Sequence, residues 1–176
     1  MATAPTERTR VSRAAAQLIG VDDRIASTVF GTITAMATVT AYGRVFPDDP
    51  WKVEELVATT AIVLWIAHLY THALSESVSE GRRLNGGRVW SLALRELGIL
   101  LAAIPSIVAL TLGGLGLFDE TASIWLALGL GLAILAVEGV RYARVERLGA
   151  AGYLVAVSVN VGIGLLVVLL KAEVLH

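Results

Sequence analysis

The sequence predicts an all-α integral membrane protein, built as a bundle of five transmembrane helices. Of its 176 residues, 56% are hydrophobic and 16% are charged, and the mean hydropathy is +0.72. Soluble domains carry about 25% charged residues, so this composition is typical of a chain that lies mostly in lipid. The chain has no cysteine, which excludes disulfides, cysteine-rich zinc sites and thiol catalysis.

Five apolar stretches approach the roughly 20 residues that a helix needs to cross a bilayer. The predicted spans are 25–42, 56–74, 92–112, 122–140 and 150–170. The first is rich in threonine, whose hydroxyl can bond back to its own helix, so this span is tolerable in lipid. Residues 25–176 are predicted to form the transmembrane domain. Residues 1–24 are predicted to be a cytoplasmic segment, either a short helix on the membrane surface or a partly frayed tail.

The basic residues alternate from one end of the predicted spans to the other. Eleven lie at one end: Arg8, Arg10, Arg13, Arg24, Arg82, Arg83, Arg88, Arg95, Arg141, Arg144 and Arg147. The three at the other end are Arg44, Lys52 and Lys171. The positive-inside rule therefore predicts a cytoplasmic N-terminus and an outside C-terminus, in a multi-pass protein of the plasma membrane. Because the arginines form only short clusters beside spans, we expect the lipid bilayer and no nucleic acid as a partner.

An ionisable residue stands at every fourth position in and after the second predicted span. This stripe consists of His68, His72, Glu76 and Glu80. A step of four residues turns a helix by only about 40°, so neighbours in the stripe share a face. Ionisable groups at membrane depth are costly and usually face a bundle interior or a water-filled cavity. The span directions place Glu96 and Glu138 in the same cytoplasmic third of the membrane.

Two imidazoles and several carboxylates suit a borderline divalent cation such as Fe²⁺, Mn²⁺ or Zn²⁺. The predicted site uses His72, Glu76 and Glu138, with His68 and Glu96 as further members. His and Glu would exchange protons for the metal, so metal affinity is expected to rise with pH between roughly 5 and 7. The predicted function is transport of divalent cations with proton coupling, and no tightly bound cofactor is expected.

Two other functions stay open. The arginines near these acids can form a structural salt-bridge layer, which would fit a non-transporting scaffold or accessory protein. The threonine-rich first span and His68 can instead line a channel for protons or monovalent ions. An enzyme is not expected, because three histidines are too few for a histidine-box oxygenase. Neither HExxH nor a nucleophile elbow occurs.

Two short stretches resemble the vacuolar iron transporter family. Residues 20–28, GVDDRIAST, are similar to the family's G-x-N-D-G-L/I-V-S-T, and residues 73–79, ALSESVS, are similar to A-L-S-M-x-x-x-E-Y-V-S with the glutamate shifted. The resemblance implies a homodimer that exchanges Fe²⁺ or Mn²⁺ for protons, and it carries Asp23 over as a candidate metal ligand. The chain has Arg24 in place of a family glycine. It also lacks the family's acidic metal-collecting helices between spans two and three.

Overall fold

The protein is helical throughout the part that the structure describes. A computed structural model describes the backbone of residues 7–80 and 85–173 and the side chains of residues 24–78 and 85–169. The helices are α1 (Glu7–Val45), α2 (Pro50–Glu80), α3 (Gly86–Arg95), α4 (Leu97–Gly114), α5 (Glu120–Val145) and α6 (Ala150–Glu173). All of these except α3 contain a segment long and apolar enough to cross a membrane.

The five apolar helices confirm the predicted number of candidate spans. Their apolar segments are Arg24–Val45, Pro50–Val78, Leu97–Gly114, Glu120–Val145 and Ala150–Leu169. The backbone of α1 is helical without a break from Glu7, so residues 7–23 continue directly into the first candidate span. The cytoplasmic position of the N-terminus stays a prediction.

The third predicted span, 92–112, is divided between two helices. The short helix α3 ends at Arg95 and α4 begins at Leu97, with Glu96 between them. In α3, Leu92 is buried whereas Trp90 is exposed, so this helix is amphipathic rather than uniformly apolar. The sequence prediction was wrong at this boundary, because it joined the apolar face of α3 to the span that follows.

Acidic side chains begin two of the long helices. The Asp49 carboxylate accepts the backbone N–H of Lys52 at 3.0 Å, and the Asp119 carboxylate accepts that of Ala122 at 3.3 Å. Such caps satisfy amide groups that have no partner within the first turn. Pro50 takes the first position of α2, where its missing N–H costs nothing.

The C-terminal end of α5 is formed by a residue in the left-handed region. Arg147 has φ of 52°, and the Leu148 N–H donates to the Ala143 carbonyl at 2.9 Å, the bond that closes a Schellman motif. Glycine usually occupies this position because a Cβ there is strained. At the end of α4 the residue with positive φ is Gly116.

Helix α1 lies at the centre of the bundle, since it packs against each of the other described helices. Its side chains Met36 and Val39 are fully buried, together with Leu110 of α4 and Leu128 of α5. The helices α2 and α6 lie at the periphery and have the least buried apolar segments of the five. Their exposed apolar side chains are typical of helices that face lipid.

Four threonines of α1 bond back to their own helix, as the sequence indicated, whereas the buried Thr40 hydroxyl has no hydrogen-bond partner among the described residues. The hydroxyls of Thr28, Thr32, Thr34 and Thr38 each donate to the carbonyl four residues earlier, at 2.8–2.9 Å. Their polar groups therefore have partners without any neighbouring helix.

Helices α1 and α4 approach closely at two glycines. A Cβ added at Gly31 would lie 2.7 Å from the Cα of Ile99, and a Cβ added at Gly98 would overlap the Ser27 hydroxyl. Backbones come this close only where no side chain separates them. This contact holds the start of α4, and Glu96 just before it, against α1.

Candidate functional site

A cleft of about 340 Å³ opens between α1, α2 and the junction of α3 with α4. Its lining consists of Ala26, Ser27, Phe30, His68, His72 and Glu96. Three of these residues were predicted from the sequence as site residues. We call this opening the histidine cleft.

The two histidines follow one another along α2, as their spacing predicts. Their ring centroids are 6.2 Å apart, with the ring planes inclined by 26°. The His68 ring is half-buried and lies against Phe30 of α1, at 4.6 Å between centroids. The Trp65 indole N–H, one turn before His68, donates to the Ala93 carbonyl at 3.2 Å and ties α2 to α3.

His72 faces Glu96 across the histidine cleft. Its Nε2 is 3.7 Å from the Glu96 Oε1, so the two form an ion pair when the imidazole is protonated. The His72 side chain is 47% exposed, whereas that of Glu96 is only 5% exposed. A buried carboxylate is unfavourable without a positive partner, and a protonated His72 supplies one.

Glu96 reaches this position because of the break between α3 and α4. Its N–H donates to the Leu92 carbonyl and its carbonyl accepts the Ile99 N–H, both at 3.1 Å, so both backbone groups of Glu96 have partners where the chain turns. The sequence named Glu96 from its depth alone. The break that turns it toward α2 gave no signal in the apolar pattern.

The structure places Glu76 and Glu138 beside arginines instead of in the histidine cleft. The Glu76 Oε1 is 4.0 Å from the Arg95 Nη1. The Glu138 Oε1 accepts a hydrogen bond from the Arg141 Nη1 at 2.6 Å, and Glu138 is buried in α5. Asp23 lies in α1, but its side chain is outside the described residues.

Phe30 and Ser27 were not predicted to belong to a site. Both lie in an apolar span where an aromatic ring or a hydroxyl usually has only a packing role. The available signal was that positions 26, 27 and 30 share one face of α1, but the sequence gave no reason to turn that face toward α2.

The predicted residues form a pair of facing donors rather than a closed metal centre. Among the described side chains, no three from His, Asp and Glu gather closely enough to hold one metal ion. Two donors that bind one ion at about 2.1 Å with a tetrahedral angle between them lie about 3.4 Å apart. The observed 3.7 Å between His72 and Glu96 is close to that separation.

No family model, curated protein or solved structure matches this chain. The resemblance to the vacuolar iron transporter family therefore stays a prediction.

Proposed function

We propose that this chain is a multi-pass membrane transporter of divalent cations such as Fe²⁺ or Mn²⁺, with proton coupling. The observation that carries the proposal is the pairing of His72 with the buried Glu96 in a cleft between candidate membrane spans. Ionisable groups at such depth commonly mark an ion pathway or a proton relay.

Coupling follows from competition for the same two side chains. With a proton on the His72 imidazole, the imidazolium is the counter-ion of Glu96. A divalent cation can take the place of that proton, because it binds neutral imidazole and carboxylate together. Loss of the cation then leaves Glu96 without a positive partner until His72 gains a proton. The pair therefore exchanges one kind of positive charge for another.

A pair with one adjacent imidazole suits passage better than storage. Conduction requires binding that is favourable at the site yet weak enough for release. His72 and Glu96 supply two ligands, His68 lies one turn earlier in α2, and water can fill the other positions. This arrangement favours a mobile cargo ion over a resident metal.

The membrane in which the protein lies and its oligomeric state are part of the same proposal. The arginine distribution favours a plasma-membrane protein with a cytoplasmic N-terminus, which puts the histidine cleft in the cytoplasmic half of the membrane. The exposed side of His72 leaves room for a second copy of the chain, in line with the homodimer that the family resemblance implies.

A second candidate function is a non-transporting scaffold or accessory protein. It is favoured by the charge pairs, because Glu76, Glu96 and Glu138 each lie opposite a basic side chain. Under this alternative the pairs stabilise the bundle, and their loss lowers thermal stability without changing any ion flux.

Purified protein in liposomes distinguishes the two functions. Mn²⁺ and Fe²⁺ uptake is measured for the wild type, for His72→Ala/Glu96→Gln, and for Glu120→Gln, an exposed carboxylate at the opposite end of the bundle. We expect uptake by the wild type and by Glu120→Gln, and loss of uptake in the double variant. Uptake no faster than in empty liposomes, from protein shown to be folded, would reject transport. Proton current without metal dependence would favour the channel instead.

A further inference from the structure

A second cleft, distinct from the histidine cleft, lies where α1, α3, α4 and α5 meet. It also has a volume of about 340 Å³. Its lining consists of Arg24, Thr28, Leu94, Arg95, Leu97, Gly98, Leu101 and Arg141. We call it the arginine cleft. It contains no residue that the proposed cation pathway uses.

Three helices each contribute one guanidinium group to the arginine cleft. Arg24 comes from α1, Arg95 from the end of α3 and Arg141 from the last part of α5. No acidic side chain among the described residues lines the cleft. Although Arg95 and Arg141 each have a glutamate partner, those glutamates lie outside the lining. The cleft therefore presents net positive charge to a ligand.

The floor of the arginine cleft is apolar. Leu94 is 45% exposed and Leu101 is 59% exposed, so the basic groups continue directly into a leucine surface. Leu97 is the first residue of its apolar segment and Arg141 lies close to Val145, the last residue of another, which puts the cleft near one end of the apolar layer. A small soluble anion would use the arginines alone. An amphiphile with an anionic head and apolar tails would use both parts.

We propose that the arginine cleft binds the phosphate headgroup of an anionic phospholipid, with an acyl chain along Leu94 and Leu101. Guanidinium groups present paired N–H donors that match phosphate oxygens, and basic pockets between transmembrane helices are suited to anionic headgroups. The hydroxyls of Ser27 and Thr28 bond to the Arg24 carbonyl at 3.2 and 2.9 Å, which fixes the backbone from which Arg24 projects. This proposal does not depend on cation transport.

The test measures lipid retained by the purified protein, using native mass spectrometry after addition of phosphatidylglycerol or phosphatidylcholine. The variant is Arg24→Gln, because removing Arg141 would also strip Glu138 of its partner. The control is Arg144→Gln, an exposed arginine near the same end of α5 that does not line the cleft. Arg24→Lys keeps the charge but not the paired donors.

We expect the wild type to retain phosphatidylglycerol over phosphatidylcholine. Arg24→Gln should lower the affinity for phosphatidylglycerol about fivefold, since a basic residue beside an anionic headgroup contributes about 1 kcal/mol and Arg24 lines the cleft. Arg144→Gln should leave it unchanged, and Arg24→Lys should restore part of it. Equal retention of the two lipids, or equal losses in the two glutamine variants, would overturn the proposal. Displacement of the lipid by millimolar glycerol phosphate or inorganic phosphate would also overturn it, by assigning the cleft to a soluble anion.

Discussion

The close contact between α1 and α4 makes Gly31 the most sensitive position we can identify for stability. In Gly31→Ala, the new Cβ would lie 2.7 Å from the Ile99 Cα and 2.8 Å from its carbonyl oxygen. Ordinary van der Waals contact begins at 3.4 Å, so the helices would have to separate by about 0.7 Å. Because the obstructing atoms belong to a backbone, no side-chain rotation relieves the overlap.

We expect Gly31→Ala to lower the free energy of unfolding by about 1–3 kcal/mol, the usual cost of overpacking a buried contact. The control is Gly129→Ala in α5, where an added Cβ meets nothing within 4 Å. That change should be neutral or should stabilise the protein by up to about 1 kcal/mol through helix propensity. Both are measured by titrating dodecyl sulfate into mixed micelles and following helix loss by circular dichroism. Equal stability of the two variants would refute the close α1–α4 packing.

Three further outcomes are expected. Arg141→Met should destabilise the bundle by about 3 kcal/mol, because it leaves the buried Glu138 carboxylate without its cation. The double variant Glu138→Gln/Arg141→Met should recover most of that loss in the same titration. Equal stability of the single and double variants would contradict the pairing. Mn²⁺ uptake into liposomes should increase from pH 5 to pH 7, since a protonated imidazole cannot bind metal. His72→Ala should remove that pH dependence. An unchanged pH profile in the variant would exclude His72 as the group at which protons and metal compete. Arg147→Gly should raise the free energy of unfolding by up to about 1 kcal/mol, because glycine tolerates the φ of 52° at that position. Arg144→Gly, which lies within α5, should lower it. A loss of stability in both variants would show that Arg147 carries no strain.

The number of candidate spans was predictable because a long apolar run is a local signal. Each span needs only its own residues to be recognised, and the loops between them carry proline, glycine or aspartate. The boundary at Glu96 was not predictable in the same way. The residues before Glu96 have one apolar helix face and one polar face, whereas those after it are apolar on all faces. Both patterns are compatible with one continuous helix. In the structure, α4 packs against Gly31 just after the break, and the Trp65 indole bonds to the Ala93 carbonyl of α3 just before it. Both contacts come from other helices.

Two of the six residues that line the histidine cleft followed from spacing within one helix. His68 and His72 share a face because they are four residues apart. This relation does not depend on how α2 packs against the other helices. Glu138 and Glu96 were both assigned to the same depth, but depth does not give the rotation of a helix about its axis. That rotation turns Glu96 toward His72 and leaves Glu138 with Arg141, three residues along its own helix.

The self-bonded threonines of α1 also bear on how the protein is made. This helix contains the first of the five candidate spans in the described part of the chain, so it is synthesised before the helices that later surround it. Thr32 and Thr38 end up buried against those later helices, yet their hydroxyls already have partners within α1. These two hydroxyls of the central helix are therefore satisfied before the other helices pack against it, and assembly around them requires no new hydrogen bond.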